Sequence, residues 1–371
     1  MVHILKFYLF LLFVNQCIVT YYKNDYTVTM RNCRSFFFVL FLLFSVLCFS
    51  CTGMAASPEE YFNIGMAYYE LGKFEEAEKW LSRARQANKT YAASQYNLGR
   101  IAYERQHFSE AAELFEEILK RDPDNILALR AAAYTRIKTG DIDKSQKHYS
   151  RVLELIPESS DDGYNHALVL FAMERYEESE EQLNKYPFAI QTNKDMQLLL
   201  ARSQGKQNKV EAIDNFSKWL AQNNDYKARY EYAGVLEYNS FFARAIEEYR
   251  KSLADAPDNA DNPKKNEIRF SIAKALLTAE RESTSGAVEM QGAVDDGFKN
   301  AAAIEEIIDG GKLSRANAIS LRTIVDNLRR AEATERERKD QSERERLERE
   351  KAASNQTEQP ANNTETSETD S

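Results

Sequence analysis

Between residues 58 and 157 the apolar positions come in short bursts with three-to-four-residue spacing, and the same residue types return 34 positions later. Gly65 recurs as Gly99, Ala77 as Ala111, and Pro123 as Pro157. In the first burst Tyr61, Ile64, Gly65 and Tyr68 fall on one face of a helix, as a buried helical stripe requires. Gly72 marks a turn, and Phe74, Ala77, Leu81 and Ala84 line a second helix whose small residues allow close approach. The next unit repeats the scheme with Leu98, Gly99, Tyr103, Phe108, Ala111 and Phe115 before Pro123. A third starts at Ile126, turns at Gly140, and carries Ser145 and Tyr149 before Pro157.

The pattern then loosens. A fourth unit keeps Tyr176, Ser179 and Leu183 without a glycine at its turn, and Pro187 predicts an early end to its second helix. A fifth, about Phe188 to Asn224, rests on Leu199, Ala201, Ala212 and Phe216, whereas a sixth shows Tyr230, Ala233, Phe242, Ala245, Tyr249 and Pro257. Asn259 to Lys265 reads as a loop, followed by a hairpin of Ile268 to Leu277 and Ala287 to Val294. Helices over Ala301 to Ile308 and Ser314 to Leu328 flank the turn signal Asp309-Gly310-Gly311 and suit a cap over the last apolar face.

A 34-residue period with small residues and aromatics at fixed offsets resembles the tetratricopeptide repeat (TPR), although Lys89 stands where the closing proline belongs. The resemblance implies an all-α fold: a right-handed solenoid of about seven helix-turn-helix hairpins over residues 57–300 and capping helices over 301–331. A charged helix and disordered tail over 332–371 follow. It also implies a protein that binds other proteins and performs no catalysis.

The ends add a location. Met30 to Cys51 reads as a bacterial lipoprotein signal: Arg31 and Arg34 form the basic start, Phe36 to Phe49 the apolar stretch, and Cys51 the lipidation site, carrying palmitate. That stretch falls short of the roughly 20 residues a spanning helix needs. Cys48-Phe49-Ser50-Cys51 departs from the usual lipobox, and the second apolar run, Phe7 to Val14, suggests that translation starts at Met30. If both runs are inserted, the basic residues between them still leave the repeats outside the cytoplasm. Thr52 offers no aspartate-type retention signal, which points to the outer membrane, with the domain on the periplasmic side. All four cysteines precede residue 52, so the expected mature domain has neither disulfides nor a thiolate metal site.

Arg329 to Lys351 is nearly all Glu, Arg and Lys, with pairs such as Glu335 with Lys339 supporting a helix, and Leu347 is almost its only large apolar residue. A coiled coil needs an apolar seam, so a solvated helix is expected. Asn355 to Ser371 reads as a disordered spacer. The net charge of -9 and the lack of a basic stripe argue against nucleic acid. His107, His148 and His166 are scattered, no phosphate loop or nucleophile elbow is present, and no cofactor is expected.

In this family certain helix A positions form an inner face for ligands. Carried over, they are Phe62, Met66 and Tyr69; Tyr96, Arg100 and Tyr103; Arg130, Tyr134 and Ile137; Tyr164, Leu168 and Phe171; and Tyr230 and Tyr238. Aromatics with arginines among them dominate binding hot spots. With Phe62 and Met66 at the positions where co-chaperones place Lys and Asn, an apolar or mixed protein or peptide fits better than an acidic tail. The expected function is a membrane-anchored extracytoplasmic scaffold. A ligand-holding, transporter-associated subunit and a structural envelope-assembly protein are the alternatives.

Overall fold

The structure is a computed structural model and describes residues 57–280 and 283–357. Among the described residues there are seventeen helices and no strand. The chain forms two compact units that divide between Asn97 and Leu98.

The first unit holds α1 (Pro58–Glu70), α2 (Phe74–Ala84) and the start of α3 (Asn88–Glu104). Ser57 opens α1 with a capping box, its hydroxyl accepting from the Glu60 amide at 3.2 Å while the Glu60 carboxylate accepts from the Ser57 amide at 2.6 Å. Gly65 explains how the hairpin closes: a Cβ there would lie 2.8 Å from Leu81 Cγ. Tyr61 and Trp80 pack with ring centroids 5.7 Å apart. Because Lys89 replaces the expected proline, α3 starts at Asn88, ahead of Ala92, which lies one period before the start of α5 at Ile126. Lys89 instead pairs with Glu59 across the unit at 2.9 Å.

In the second unit the remainder of α3 pairs with α4 (Phe108–Arg121), followed by α5 (Ile126–Thr139) with α6 (Ile142–Leu155) and α7 (Ser160–Ala172) with α8 (Tyr176–Asn184). The short α9 (Pro187–Thr192) intervenes before α10 (Lys194–Lys206) with α11 (Glu211–Leu220), α12 (Tyr226–Tyr238) with α13 (Phe242–Asp255), and α14 (Lys265–Ala279) with α15 (Thr284–Asp295). Then come α16 (Ala301–Asp309) and α17 (Arg315–Thr357). From α4 to α15 helices adjacent in sequence pack on one another, which is the connectivity of a TPR solenoid. A small residue on helix A faces a large one on helix B sixteen positions later: Gly99 and Phe115, Ala133 and Tyr149, Ala167 and Leu183, all buried. Burying each large side chain is worth about 2–3 kcal/mol.

The turns within the hairpins mark the period best. A left-handed backbone recurs at Gly72, Gln106, Gly140, Glu174 and Asn208, 34 residues apart each time, and then at Ser240 after 32. Only two of these six are glycine, yet the conformation persists, so hairpin packing imposes it against a cost of about 1 kcal/mol per L-residue. The fourth and fifth hairpins are therefore full members of the series.

The fourth hairpin also shows how an early helix end is accommodated. α8 stops at Asn184 before Pro187, and Tyr186 folds in, its hydroxyl donating to the Pro157 carbonyl at 2.9 Å. Its ring lies so close to α7 that a Cβ on Gly163 would sit 2.1 Å from it.

At the C-terminal end Met290, Ile304, Leu321, Ile324 and Val325 share one core, so α16 and the start of α17 cover the apolar face of the seventh hairpin. The sequence pattern suggests separate helices over Ser314–Leu328 and Arg329–Lys351, but α17 is one 43-residue helix, since no Gly or Pro interrupts it. It extends to Thr357, so the first residues of the stretch expected to be disordered from Asn355 are helical. The leader, including Cys51, and the rest of the tail lie outside the described residues.

Candidate partner-binding face

Phe62, Met66, Tyr69 and Tyr96 belong to the first unit, where each is half-buried. Tyr69 packs on Phe74, the first residue of α2, with centroids 5.7 Å apart. The same clasp across the turn recurs in the second unit, between Tyr103 and Phe108 at 5.1 Å and between Phe171 and Tyr176 at 5.1 Å. Side chains at this position thus hold the hairpin closed and show solvent only part of their rings.

One position earlier in the helical stripe, side chains are freer. Tyr134 on α5 is 49% exposed, and Leu168, its equivalent on α7, is 38% exposed. Ile137, one turn beyond Tyr134, is 37% exposed. The Tyr134 ring leans on Tyr103 at 5.7 Å, with the Lys138 ammonium 5.7 Å from its centroid. Burial, helped by a hydrogen bond with Tyr134, pushes the Tyr103 phenol up to about 12. The face offers apolar area with hydroxyl edges.

The other carried-over residues divide by role. Arg100 is half-buried on α3. Arg130 grips Asp162 in a two-pronged ion pair, Nε lying 2.9 and 3.0 Å from its two oxygens. Asp162 is buried and also accepts from the Ser159 hydroxyl at 2.6 Å, so Arg130 ties α5 to α7. The hydrogen bond to Asp162 raises the pKa of the Arg130 guanidinium. Tyr164 is half-buried, and burial raises its phenol. Tyr230 packs on Tyr249 at 5.3 Å with its hydroxyl 3.0 Å from Ser271, and burial raises its phenol as well. Tyr238 stands 64% exposed at the end of α12.

Further along, ionic partners take over. Arg202, one period after Leu168, pairs with Glu231 at 2.7 Å, and Lys274 reaches Glu237 at 3.0 Å, where the Tyr249 hydroxyl also donates at 2.9 Å. His148 and His166 sit among helices: His148 Nε2 lies 3.0 Å from Glu116, holding that carboxyl below its usual range. His166 is buried with Nε2 3.2 Å from the Ser150 hydroxyl. Among the described residues no three His, Cys, Asp or Glu side chains are placed to hold a metal, and no helix is long and apolar enough to cross a membrane.

Two residues escape pattern reading. Phe188 on α9 is 83% exposed, because the helix break at Pro187 turns it away from the α8 stripe. Gly163 escapes too, since its meaning depends on Tyr186 folding back; the signal was the pair Tyr186-Pro187.

The description "Tetratricopeptide repeat" matches residues 62–126 and again 102–161. An uncharacterized lipoprotein of Treponema pallidum (strain Nichols) is 25% identical over 171 residues, covering 46% of this chain and 87% of that protein. Among solved structures, a tetratricopeptide repeat protein from Parabacteroides merdae ATCC 43184 aligns with a TM-score of 0.46 at 20% identity, over 67% of this chain and 96% of that one. YrrB, a TPR protein with an unusual peptide-binding site, aligns at 0.44 and 16% identity over 48% and 93%. The matched segments fall on the helix pairs and turns described above, so residues 62–161 are tetratricopeptide repeats, and the later hairpins continue the same helix-turn-helix order.

Proposed function

We propose that this protein is a lipid-anchored scaffold of the bacterial envelope that docks a protein or peptide partner on the helix A face of its third and fourth hairpins. The observation that carries the reading is the exposed row Tyr134, Ile137 and Leu168: Tyr134 and Leu168 stand at equivalent places in consecutive repeats, and Ile137 lies one turn beyond Tyr134 on the same helix. An extended or helical segment presenting two or three apolar side chains matches a row with this spacing, and desolvated aromatics supply much of the affinity of such contacts. The anchor at Cys51 and the periplasmic location rest on the leader sequence and on the likeness to the treponemal lipoprotein.

Crosslinking the full-length protein in its own envelope, followed by mass spectrometry, reads both parts. A diacylglyceryl mass on Cys51 and one enriched partner are expected. Tyr134→Ala with Leu168→Ala should weaken that partner roughly 30-fold or more, as loss of a hot spot does, with helicity unchanged. Retained capture removes the docking face, and an unlipidated Cys51 removes the anchor. Tyr69 and Tyr103 are poorer probes, because their clasps on Phe74 and Phe108 would be lost as well.

A further inference from the structure

α17 performs two physically separate tasks. Up to about Leu328 it is part of the cap, with Leu321, Ile324 and Val325 in the core and Asn317 donating to the buried Ser283 carbonyl at 3.2 Å. Arg329 ties α17 to Glu305 on α16 at 2.7 Å. Beyond it residues 331–351 are exposed apart from the half-exposed Glu335, yet the helix continues without interruption to Thr357.

Two features of the sequence explain that continuation. Residues 331–351 contain no Gly, Pro or aromatic and only one β-branched residue, Thr334, so nearly every position favours helix. Ion pairs also run along the surface, with Glu335 contacting Arg338 at 3.0 Å and Lys339 at 3.8 Å, and Arg346 contacting Glu350 at 3.5 Å. Nucleation, the costly step for an isolated helix, is already met by the packed cap, so the exposed half only has to propagate. It does not form a pairing seam: Leu347 is its one large apolar residue, and acidic and basic residues are interspersed around the circumference.

We propose that the exposed half of α17 is a rigid, monomeric standoff, fixed in direction by the cap, that holds its end at Thr357 about 40 Å from Ala331 at 1.5 Å per residue. It sets the distance between the repeats and the acidic terminal residues 358–371, which carry no Lys or Arg. The proposal stands independently of the docking face.

The native sequence has cysteines only at 17, 33, 48 and 51, so spin labels can be placed cleanly in the full chain once those four are changed to serine. Pulsed dipolar spectroscopy on Thr334→Cys with Lys351→Cys should give one narrow distance near 25 Å. Asp309→Cys on α16 with Lys351→Cys should give a second narrow peak, because cap and standoff are continuous. Both should broaden in 1 M salt, where the Debye length falls to about 3 Å, and in the triple variant Glu335→Gln, Glu345→Gln, Glu350→Gln. A broad distribution at low salt overturns the rigid standoff, and a narrow one indifferent to salt and to the triple variant overturns the ion-pair account. A dipolar signal from the chain labelled only at Lys351→Cys overturns the monomer.

Discussion

On α5 and α7 the exposed helix A row reads Tyr134, Ile137, Leu168, whereas the equivalent positions of α10 and α12 are Arg202, Gly205, Gly234 and Glu237. In the second region charges pair within the molecule, Arg202 with Glu231 and Lys274 with Glu237. One backbone unit thus presents apolar area that its own side chains leave partly uncovered, and then a polar face whose charges are already matched. Repeats of one fold can therefore leave apolar area open on some hairpins and close charge pairs on others through two or three side chains per helix, without a change in backbone.

The comparison is broken most strongly at glycines. Gly163→Ala in the first region drives a methyl into the Tyr186 ring and should destabilise the protein by about 1–3 kcal/mol. Gly234→Ala in the second meets only the Tyr249 hydroxyl at 3.6 Å and should stabilise by roughly 0.5–1 kcal/mol through helix propensity. Urea midpoints check both, and changes of the same sign would refute the contrast in packing.

The turns sharpen it on a smaller scale. Glu174 holds a left-handed backbone with a side chain unsuited to it, so Glu174→Gly should raise stability by about 0.5–1 kcal/mol. Asn208 tolerates that conformation, and Asn208→Gly should gain only a few tenths. Equal gains in thermal midpoint would show that packing, not side-chain type, decides the cost.

The smallest expected effect depends on pH. Burial holds the His166 imidazole below its usual range, with Lys185 and Arg175 acting in the same direction and Gln182 and Glu178 opposing. The unfolded chain therefore takes up a proton that the folded chain resists, so this contribution is complete above about pH 6.5 and declines as pH falls below it. Glu116 and Glu180, both held low, lose their stabilising effect further into the acid range. Between pH 7.5 and 5.5 the urea midpoint should fall in the native protein and fall less in His166→Gln; equal falls would clear His166.

The period, the hairpins and the cap were legible because Gly65 and Gly99, Ala77 and Ala111, and Pro123 and Pro157 satisfy packing needs that few residue types meet. The fourth and fifth turns were faint for the opposite reason, since Glu174 and Asn208 adopt a conformation dictated by the surrounding helices, not by their own chemistry. The candidate face was legible only as a set of aromatics. Tyr103 and Tyr134 look alike in sequence, but they hold different places in the 34-residue repeat: Tyr103 lies next to the turn and packs on Phe108, while Tyr134 lies a helical turn earlier in its repeat, leans on Tyr103 and keeps half of its surface exposed. The continuity of α17 was legible in hindsight from the absence of Gly and Pro across Leu328 and Arg329.

The spacing of the left-handed turns has a consequence for descent. Contacts that run chiefly between sequence neighbours allow a gene to gain or lose a whole 34-residue block and still encode a protein whose remaining hairpins fit. The step of 32 from Asn208 to Ser240 marks a place where two codons could go missing and be absorbed by the short α11, so tandem duplication and small deletion are both open to this lineage.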